Sequence, residues 1–175
     1  MRSANASPLR NGGTQKAFAE RIGKPIVYPF VKSLEEFPEI TPILKKETDI
    51  NNFGGIWHSD TTYQEEPPMG TMLYGIEIPH YGGDTEWSNQ YLAYESLSEG
   101  MKKFLNTLEA VNISGKARVA KTRSDIMKHA SVGLKGDELK AVHPVVRTHP
   151  ETKRKSLYVN EAHTTNFVGM TEDES

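Results

Sequence analysis

The stretch "FGGIWHSDTTYQEEPPMG", Phe53 to Gly70, places a histidine and an aspartate two residues apart, behind a pair of glycines. On an extended strand, positions i and i+2 project from the same face, so the side chains of His58 and Asp60 are predicted to lie together. An imidazole and a carboxylate are two of the three ligands of a facial triad on Fe(II). The alternative is a hydrogen-bonded His–Asp pair in a tight turn packed under Trp57. The pattern alone leaves both interpretations open.

The composition narrows the class of protein. A chain of 175 residues is long enough for one domain with a core and too short for two ordinary domains. The net charge of -2 gives no basic excess for a nucleic-acid partner. There is no cysteine, so any metal must be held by His, Asp, Glu or water. The sequence shows neither an apolar run of membrane-spanning length nor a signal peptide at its start, so we predict no membrane partner and a cytoplasmic location.

Helix and strand signals organise the first half of the chain. Residues 1–13 are polar and rich in Gly, Asn and Ser, which predicts a flexible lead-in before a domain over residues 14–175. Thr14 is a candidate N-cap for a short helix that ends before Gly23. From Gly70 to Pro79 apolar side chains alternate, which predicts a strand.

The second half carries further signals. The segment from Asn89 to Val111 predicts two helices that meet at Ser98, with Met101 and Phe104 among the residues that face inward. Residues 116–140 are polar and weakly periodic, which favours a disordered or lid-like region. Two β-segments, 145–148 and 156–160, are predicted to form a hairpin.

The last residues contain a helix start signal. Thr171 is a candidate N-cap, and Glu174 stands three residues later at the capping-box position. Because the sequence stops where this signal begins, we expect the chain to be a fragment of a longer protein.

Two further motifs have both a structural and a functional interpretation. "GGDT", Gly82 to Thr85, is typical of a turn with a glycine at positive φ, and the Thr85 hydroxyl could instead donate to a small carboxylate. His163 follows a predicted strand in a loop rich in hydroxyls and amides, where it is either a surface residue or part of a pocket.

Two long blocks, occurring in order, carry a family resemblance. They are "WHSDTTYQEEPPMGTMLYGIEIPHYGGDTEWSNQYLAYESLS" and "HPVVRTHPETKRKSLYVNEAHTTNFVGM". Together they closely resemble the taurine catabolism dioxygenase (TauD/TfdA) family of Fe(II)- and 2-oxoglutarate-dependent enzymes, from about Phe18 to Met170. The resemblance implies a mixed α/β, mainly β fold with flanking helices: a double-stranded β-helix, or jelly roll, of the clavaminate synthase-like type. It also implies an iron ion inside the barrel.

The resemblance assigns roles to individual residues. His58 and Asp60 match the family's iron ligands, and Thr85 matches the residue that binds the carboxylate of the co-substrate 2-oxoglutarate. Tyr28 matches an aromatic residue of the substrate pocket, and His163 replaces another. The implied reaction consumes O2, hydroxylates a small organic substrate and releases succinate and CO2.

Departures from the family pattern are equally informative. The family's third ligand, a histidine, lies well beyond the "HPVVRTHP" block and is followed by an arginine that pairs with 2-oxoglutarate; both are absent from this chain. We therefore expect an incomplete domain that lacks its C-terminal part and shows little or no turnover. Pro25 and Gly54 occupy positions where taurine dioxygenases have a histidine and an asparagine, which favours a small anionic substrate other than taurine.

Two alternatives come from other functional classes. One is a non-catalytic truncated β-fold that persists as a homo-oligomer through exposed sheet edges. The other is a zinc hydrolase, which needs a general base and usually three protein ligands. Only Glu65 and Glu66 stand near the pair as candidate bases, and the resemblance gives them no hydrolytic role.

Overall fold

The computed structural model describes residues 8–130 and 139–175 and consists of short helices and antiparallel strands. In chain order the elements are α1 (Pro8–Ile22), α2 (Gln90–Glu95), α3 (Glu99–Leu105), β1 (Glu109–Ile113), α4 (Ala117–Ala130), β2 (Lys140–Pro144), β3 (Val146–Thr148), β4 (Lys155–Leu157) and β5 (Thr164–Phe167). Among these helices none combines the length and apolar character that a bilayer span requires.

The sheets are antiparallel and confirm a mixed α/β fold. β1 is the central strand of a three-stranded sheet, with β2 on one side and β5 on the other. Its register with β2 runs from Glu109 opposite Pro144 to Ile113 opposite Lys140. The pairing with β5 is interrupted by an irregularity between Val111 and Asn112. The predicted hairpin is confirmed as a separate two-stranded sheet of β3 and β4.

A small aromatic core lies beside the central sheet. Phe30, Val31 and Tyr63 are fully buried and pack with the partly buried Tyr28 and Leu139. Phe30 contacts Tyr63 edge to face at a centroid distance of 5.7 Å. Since Tyr63 follows the His–Asp motif by three residues, this core fixes one end of the loop that carries the motif.

The first helix begins earlier than Thr14. α1 starts at Pro8, a residue that favours the first helical position because its fixed φ is already helical. A Cβ added at Gly12 would lie 2.6 Å from the ring of Phe37, so the glycine allows the helix to pack closely on that ring. Residues 8–13 are thus helical rather than a flexible lead-in, and residues 1–7 lie outside the described part. The end of the helix before Gly23 is as predicted.

The segment after Asn89 is predicted correctly at its start and wrongly at its end. The two helices are confirmed, and the Ser98 side chain caps α3 by accepting a hydrogen bond from the Met101 amide at 3.2 Å. Met101 and Phe104, however, are exposed rather than inward-facing. Residues 109–111, which the sequence pattern assigns to the end of the second helix, belong instead to the central strand β1, because tertiary pairing on both sides outweighs local helix propensity.

Two other predictions are corrected by the structure. Residues 70–79 do not form a strand, since no strand of the described residues pairs with them. Residues 117–130, expected to be disordered or lid-like, form α4, with Val119 and Arg123 on its buried face. Residues 131–138, which belong to the same predicted region of residues 116–140, lie outside the described part of the chain.

The capping box near the end of the chain is confirmed. The Thr171 amide donates to Glu174 Oε2 at 2.8 Å, and the Glu174 amide donates to Thr171 Oγ1 at 3.2 Å. The hydrogen bond from the Thr171 backbone holds the pKa of Glu174 below its ordinary value.

Candidate metal centre

A cleft of about 610 Å³ opens beside the His–Asp motif. Its walls come from the end of α1, residues 23–28 and 39–43, the loop of residues 53–73, α4 and the turn before β5. Five of the site residues predicted from the sequence line it: Tyr28, Gly54, His58, Asp60 and His163. The fold thus brings five of the six predicted site residues to one cavity.

His58 and Asp60 face each other at the wall of this cleft. His58 Nε2 lies 3.0 Å from Asp60 Oδ1, although the residues lie in an irregular loop and not on the predicted strand. The His58 Nδ1–H donates to the carbonyl of Ile56 at 2.7 Å, and the hydroxyl of Thr71 donates to Asp60 Oδ2. Their side chains are 30% and 49% exposed, so the pair is not sealed beneath a core.

His58 and Asp60 fit two of the three protein ligands of a facial-triad metal site. Imidazole and carboxylate ligands lie about 2.0–2.2 Å from a first-row divalent ion, so two adjacent ligands at right angles are separated by about 3 Å, as Nε2 and Oδ1 are. A ligating histidine ordinarily donates its other N–H to a carbonyl or carboxylate, as His58 does to Ile56. Across residues 8–130 and 139–175, no group of three or more His, Asp or Glu side chains is placed to hold one ion.

Without a metal the two side chains are joined by a hydrogen bond. Donation from His58 Nε2–H to Asp60 raises the pKa of His58, and the same bond lowers the pKa of Asp60. Burial opposes both shifts. A divalent ion must therefore displace the proton that the two side chains share, since only neutral imidazole can coordinate.

Unusual backbone geometry surrounds the pair. Gly54 has φ of 71°, and a Cβ there would lie 3.3 Å from His58 Cε1, so a side chain would crowd the imidazole. Thr61, next to Asp60, has φ of 50°, which is rare for a β-branched residue. Its hydroxyl is buried without a hydrogen-bond partner among the described residues and lines the cleft. Strain and an unsatisfied polar atom of this kind are typical of binding sites.

A buried polar network anchors the loop to the central sheet. The side-chain carbonyl of Asn112, which is fully buried on β1, accepts hydrogen bonds from Thr62 at 3.3 Å and from Thr164 at 2.9 Å. One residue beyond Tyr63, the Gln64 carbonyl accepts a hydrogen bond from His143 Nε2–H on β2 at 2.9 Å. β1 and β2 therefore hold the residues that directly follow Asp60, and Thr164 of β5 donates to the same Asn112 oxygen.

Aromatic rings form the inner wall of the cleft. Tyr63 contacts the His163 ring edge to face at 4.9 Å, and Tyr28 contacts Phe30 in the same way at 5.7 Å. Burial raises the pKa of Tyr28 and of Tyr63, so both phenols stay neutral. Burial lowers the pKa of His163 to about 4, so this histidine presents a neutral imidazole at pH 7.

The sequence interpretation missed Arg123. This residue of α4 is 7% exposed and lines the cleft. Its Nη1–H donates to the Ser114 carbonyl at 3.0 Å, and its guanidinium carbon lies 4.8 Å from the Phe30 ring centroid. Val119 and Arg123, spaced i and i+4, were a helical signal, but an arginine is counted as polar when periodicity is read.

Thr85 does not join this cleft. It is exposed and lies just after Gly82 and Gly83, which have φ of 81° and 72° as predicted for the turn. It is not among the residues that line the cleft, so its role in binding 2-oxoglutarate stays a prediction.

Comparisons with known proteins place the chain in a family. A family model described as "Taurine catabolism dioxygenase TauD, TfdA family" matches residues 5–175. An alkylsulfatase of Acinetobacter baylyi is 34% identical over 151 residues, which are 82% of this chain and 45% of that protein. An alpha-ketoglutarate-dependent sulfonate dioxygenase of Saccharomyces cerevisiae is 32% identical over 139 residues, 79% of this chain and 32% of that protein.

A solved structure gives the same result. A taurine dioxygenase from Burkholderia xenovorans superposes with a TM-score of 0.68 at 32% identity, covering 94% of this chain and 51% of that one. The chain thus spans less than half the length of these curated relatives and about half of the solved one. By sequence and by fold, the chain belongs to the taurine catabolism dioxygenase TauD, TfdA family.

Proposed function

We propose that this chain forms the His58–Asp60 half of the iron centre of an Fe(II)- and 2-oxoglutarate-dependent dioxygenase that hydroxylates a small anionic compound. The observation that carries the proposal is the 3.0 Å separation of His58 Nε2 and Asp60 Oδ1 at the wall of a cleft. When bound, the iron would supply the activation of O2 that couples decarboxylation of 2-oxoglutarate to hydroxylation. Names of relatives, a sulfonate dioxygenase and an alkylsulfatase, support an anionic substrate.

The residues around the pair prepare it for an ion. The Ile56 carbonyl holds the Nδ1–H tautomer of His58 and so leaves Nε2 free to coordinate, while the Thr71 hydroxyl holds one carboxylate oxygen of Asp60 and leaves the other for the ion. The aromatic wall of Tyr28 and Tyr63 limits water on the inner side. In this proposal the antiparallel sheets belong to a double-stranded β-helix, and a third ligand comes from outside the described residues.

Binding of Fe(II) in the absence of oxygen tests the proposal. Isothermal titration of the wild-type chain, His58→Ala and Asp60→Ala should show affinity falling by at least about tenfold in each variant, since each removes one of two ligands. His80→Ala is the matched control, because His80 is exposed and does not line the cleft. Equal affinities in all four proteins would contradict the iron assignment.

Turnover is a separate question from binding. Because the described residues supply two protein ligands, we propose that the 175 residues alone give little turnover. Succinate formation and O2 uptake with Fe(II), 2-oxoglutarate and hexyl sulfate measure it. Rapid turnover by the chain alone would contradict this part of the proposal.

A specific surface favours the second candidate, a non-catalytic fold that self-associates. Within residues 70–88 four large apolar side chains are 65–85% exposed: Leu73, Ile76, Ile78 and Trp87. Contiguous exposed apolar residues are typical of protein–protein contact sites. Sedimentation velocity over a range of concentrations tests this candidate: it predicts a dimer or larger species that Trp87→Ser weakens, and a monomer at every concentration would exclude it.

A further inference from the structure

Arg123 is a buried cation with no anionic partner among the described side chains. It is 7% exposed, and no carboxylate among the side chains that the structure describes forms an ion pair with it. Its contacts are the neutral carbonyl of Ser114 and the face of the Phe30 ring. Burying a charge is costly unless it is paired, so such a residue indicates that an anion binds beside it.

The other charges of the cleft do not neutralise Arg123. Of the two carboxylates that line the cleft, Glu39 is paired with Lys16 at 2.7 Å, and Asp60 is paired with His58. Lys24, the remaining cation of the lining, is exposed to solvent and keeps its hydration. The cleft therefore carries an excess of positive charge, and Arg123 is the part of it that is desolvated.

The rest of the cleft is suited to an apolar chain. Its lining is largely aliphatic and aromatic, and includes Ile22, Ile26, Ile43, Met72 and Leu73. Guanidinium groups bind carboxylate, sulfate and sulfonate oxygens with charge-assisted hydrogen bonds, which are the strong ones in a site with little water. The Ser114 and Phe30 contacts fix the guanidinium in place, so little side-chain entropy is lost when an anion binds.

We propose that Arg123 binds the anionic headgroup of the substrate, a compound in which a sulfate, sulfonate or carboxylate ends an apolar chain. The inference rests on the proposed function for the identity of that anion as the compound to be hydroxylated. With the headgroup at Arg123, the apolar chain lies along the cleft that His58 and Asp60 also line. Arg123 thereby selects anionic over neutral substrates.

Hexyl sulfate is the probe, and 1-hexanol is its neutral counterpart. Titration calorimetry of the 175-residue chain should show that Arg123→Gln weakens hexyl sulfate binding by at least about tenfold and leaves hexanol binding unchanged. Arg123→Lys keeps the charge but loses the planar donor fork, so its affinity for hexyl sulfate should lie between those of the wild-type chain and Arg123→Gln. Lys121→Gln is the matched control, since it removes a cation from the exposed side of the same helix.

The same titrations with 2-oxoglutarate separate the two anions of the reaction. The proposal predicts that Arg123→Gln does not change 2-oxoglutarate affinity. Three results for Arg123→Gln would overturn the proposal, provided that the variant has the wild-type circular dichroism spectrum. They are a loss of affinity for 2-oxoglutarate alone, an equal loss of affinity for hexyl sulfate and hexanol, and no loss of affinity at all.

If Arg123→Gln does not fold, the wild-type protein and Arg123→Lys still decide. Wild-type affinity for hexyl sulfate should fall between about 0.05 M and 0.5 M NaCl while affinity for hexanol does not, and the two proteins should differ for hexyl sulfate alone. Equal salt responses for the two probes would overturn the inference. These measurements need no iron, so Arg123-dependent binding without Fe(II) binding at His58 would refute the proposed function and leave only the anion site at Arg123 standing.

Discussion

Residues 57–64 and residues 70–88 belong to one continuous block of the family motif, yet they differ in how the fold holds them. The first segment is held by hydrogen bonds to β1, β2 and the turn before β5, and it presents His58 and Asp60 to the cleft. The second pairs with no strand of the described residues and leaves its apolar side chains exposed, and Thr85 lies in it. The position of a site residue thus depends on the partners of its segment as well as on the motif.

The largest expected effect is loss of the anchor of the first segment. Asn112→Ala removes the oxygen that accepts from both Thr62 and Thr164, and leaves the buried hydroxyl of Thr62 and the partly buried hydroxyl of Thr164 without that partner. We expect the free energy of unfolding to fall by about 3 kcal/mol. Urea denaturation measures it, and a change below about 0.5 kcal/mol would mean that the network does not anchor the loop.

Protonation of His163 at low pH is expected to have a comparable effect on the free energy of unfolding. Its pKa is about 4 in the folded protein and about 6.5 when unfolded, so between these values the unfolded chain binds the extra proton. This residue's contribution is complete above pH 6.5 and is lost as the pH falls towards 4, at a cost of up to about 3 kcal/mol. His163→Phe keeps a ring against Tyr63 and should remove this part of the slope in urea unfolding measured from pH 7 to 4. An unchanged slope would contradict the low pKa.

A smaller effect is expected at the hydrogen bond from Thr71 to Asp60, which joins the two segments. Thr71→Val removes the hydroxyl that holds Asp60 Oδ2. Fe(II) affinity should fall about tenfold, as for other groups that orient a ligand. Thr122→Val is the matched control, because Thr122 lines the cleft but bonds to the Val119 carbonyl instead. If both variants bind Fe(II) equally well, the two segments do not cooperate at the metal.

The smallest effect is expected in the second segment. Ile78→Ser replaces a side chain that is 72% exposed, so the free energy of unfolding of the monomer should change by less than about 0.5 kcal/mol. Urea unfolding at a protein concentration where sedimentation shows a monomer is the measurement. A loss above about 1 kcal/mol would show that residues 70–88 are packed more firmly than their exposure indicates.

Local signals in the sequence predicted the parts of the site that local geometry determines. The spacing of His58 and Asp60 predicted their contact, and the glycines of "GGDT" predicted positive φ. Caps at Ser98 and Thr171 were likewise predicted, because each depends on residues three positions apart.

Contacts between segments distant in the sequence determine the features that local signals did not predict. Residues 109–111 of β1 were predicted as helix because the local sequence does not reveal that strands lie on both sides of them. The alternation of residues 70–79 predicts a strand only where a partner strand is present. Arg123 escaped notice because its burial depends on Ser114 and Phe30, which are distant in the sequence.

The most direct test of the central claim, that His58 and Asp60 are metal ligands, is paramagnetic broadening by Mn(II) in NMR spectra of the chain. At low Mn(II) concentration, broadening should appear first at His58 and Asp60 and next at Gly54 and Thr71, which lie beside these two side chains in the cleft. Broadening that begins at exposed His80 or elsewhere outside the cleft, with His58 and Asp60 unaffected, would contradict it.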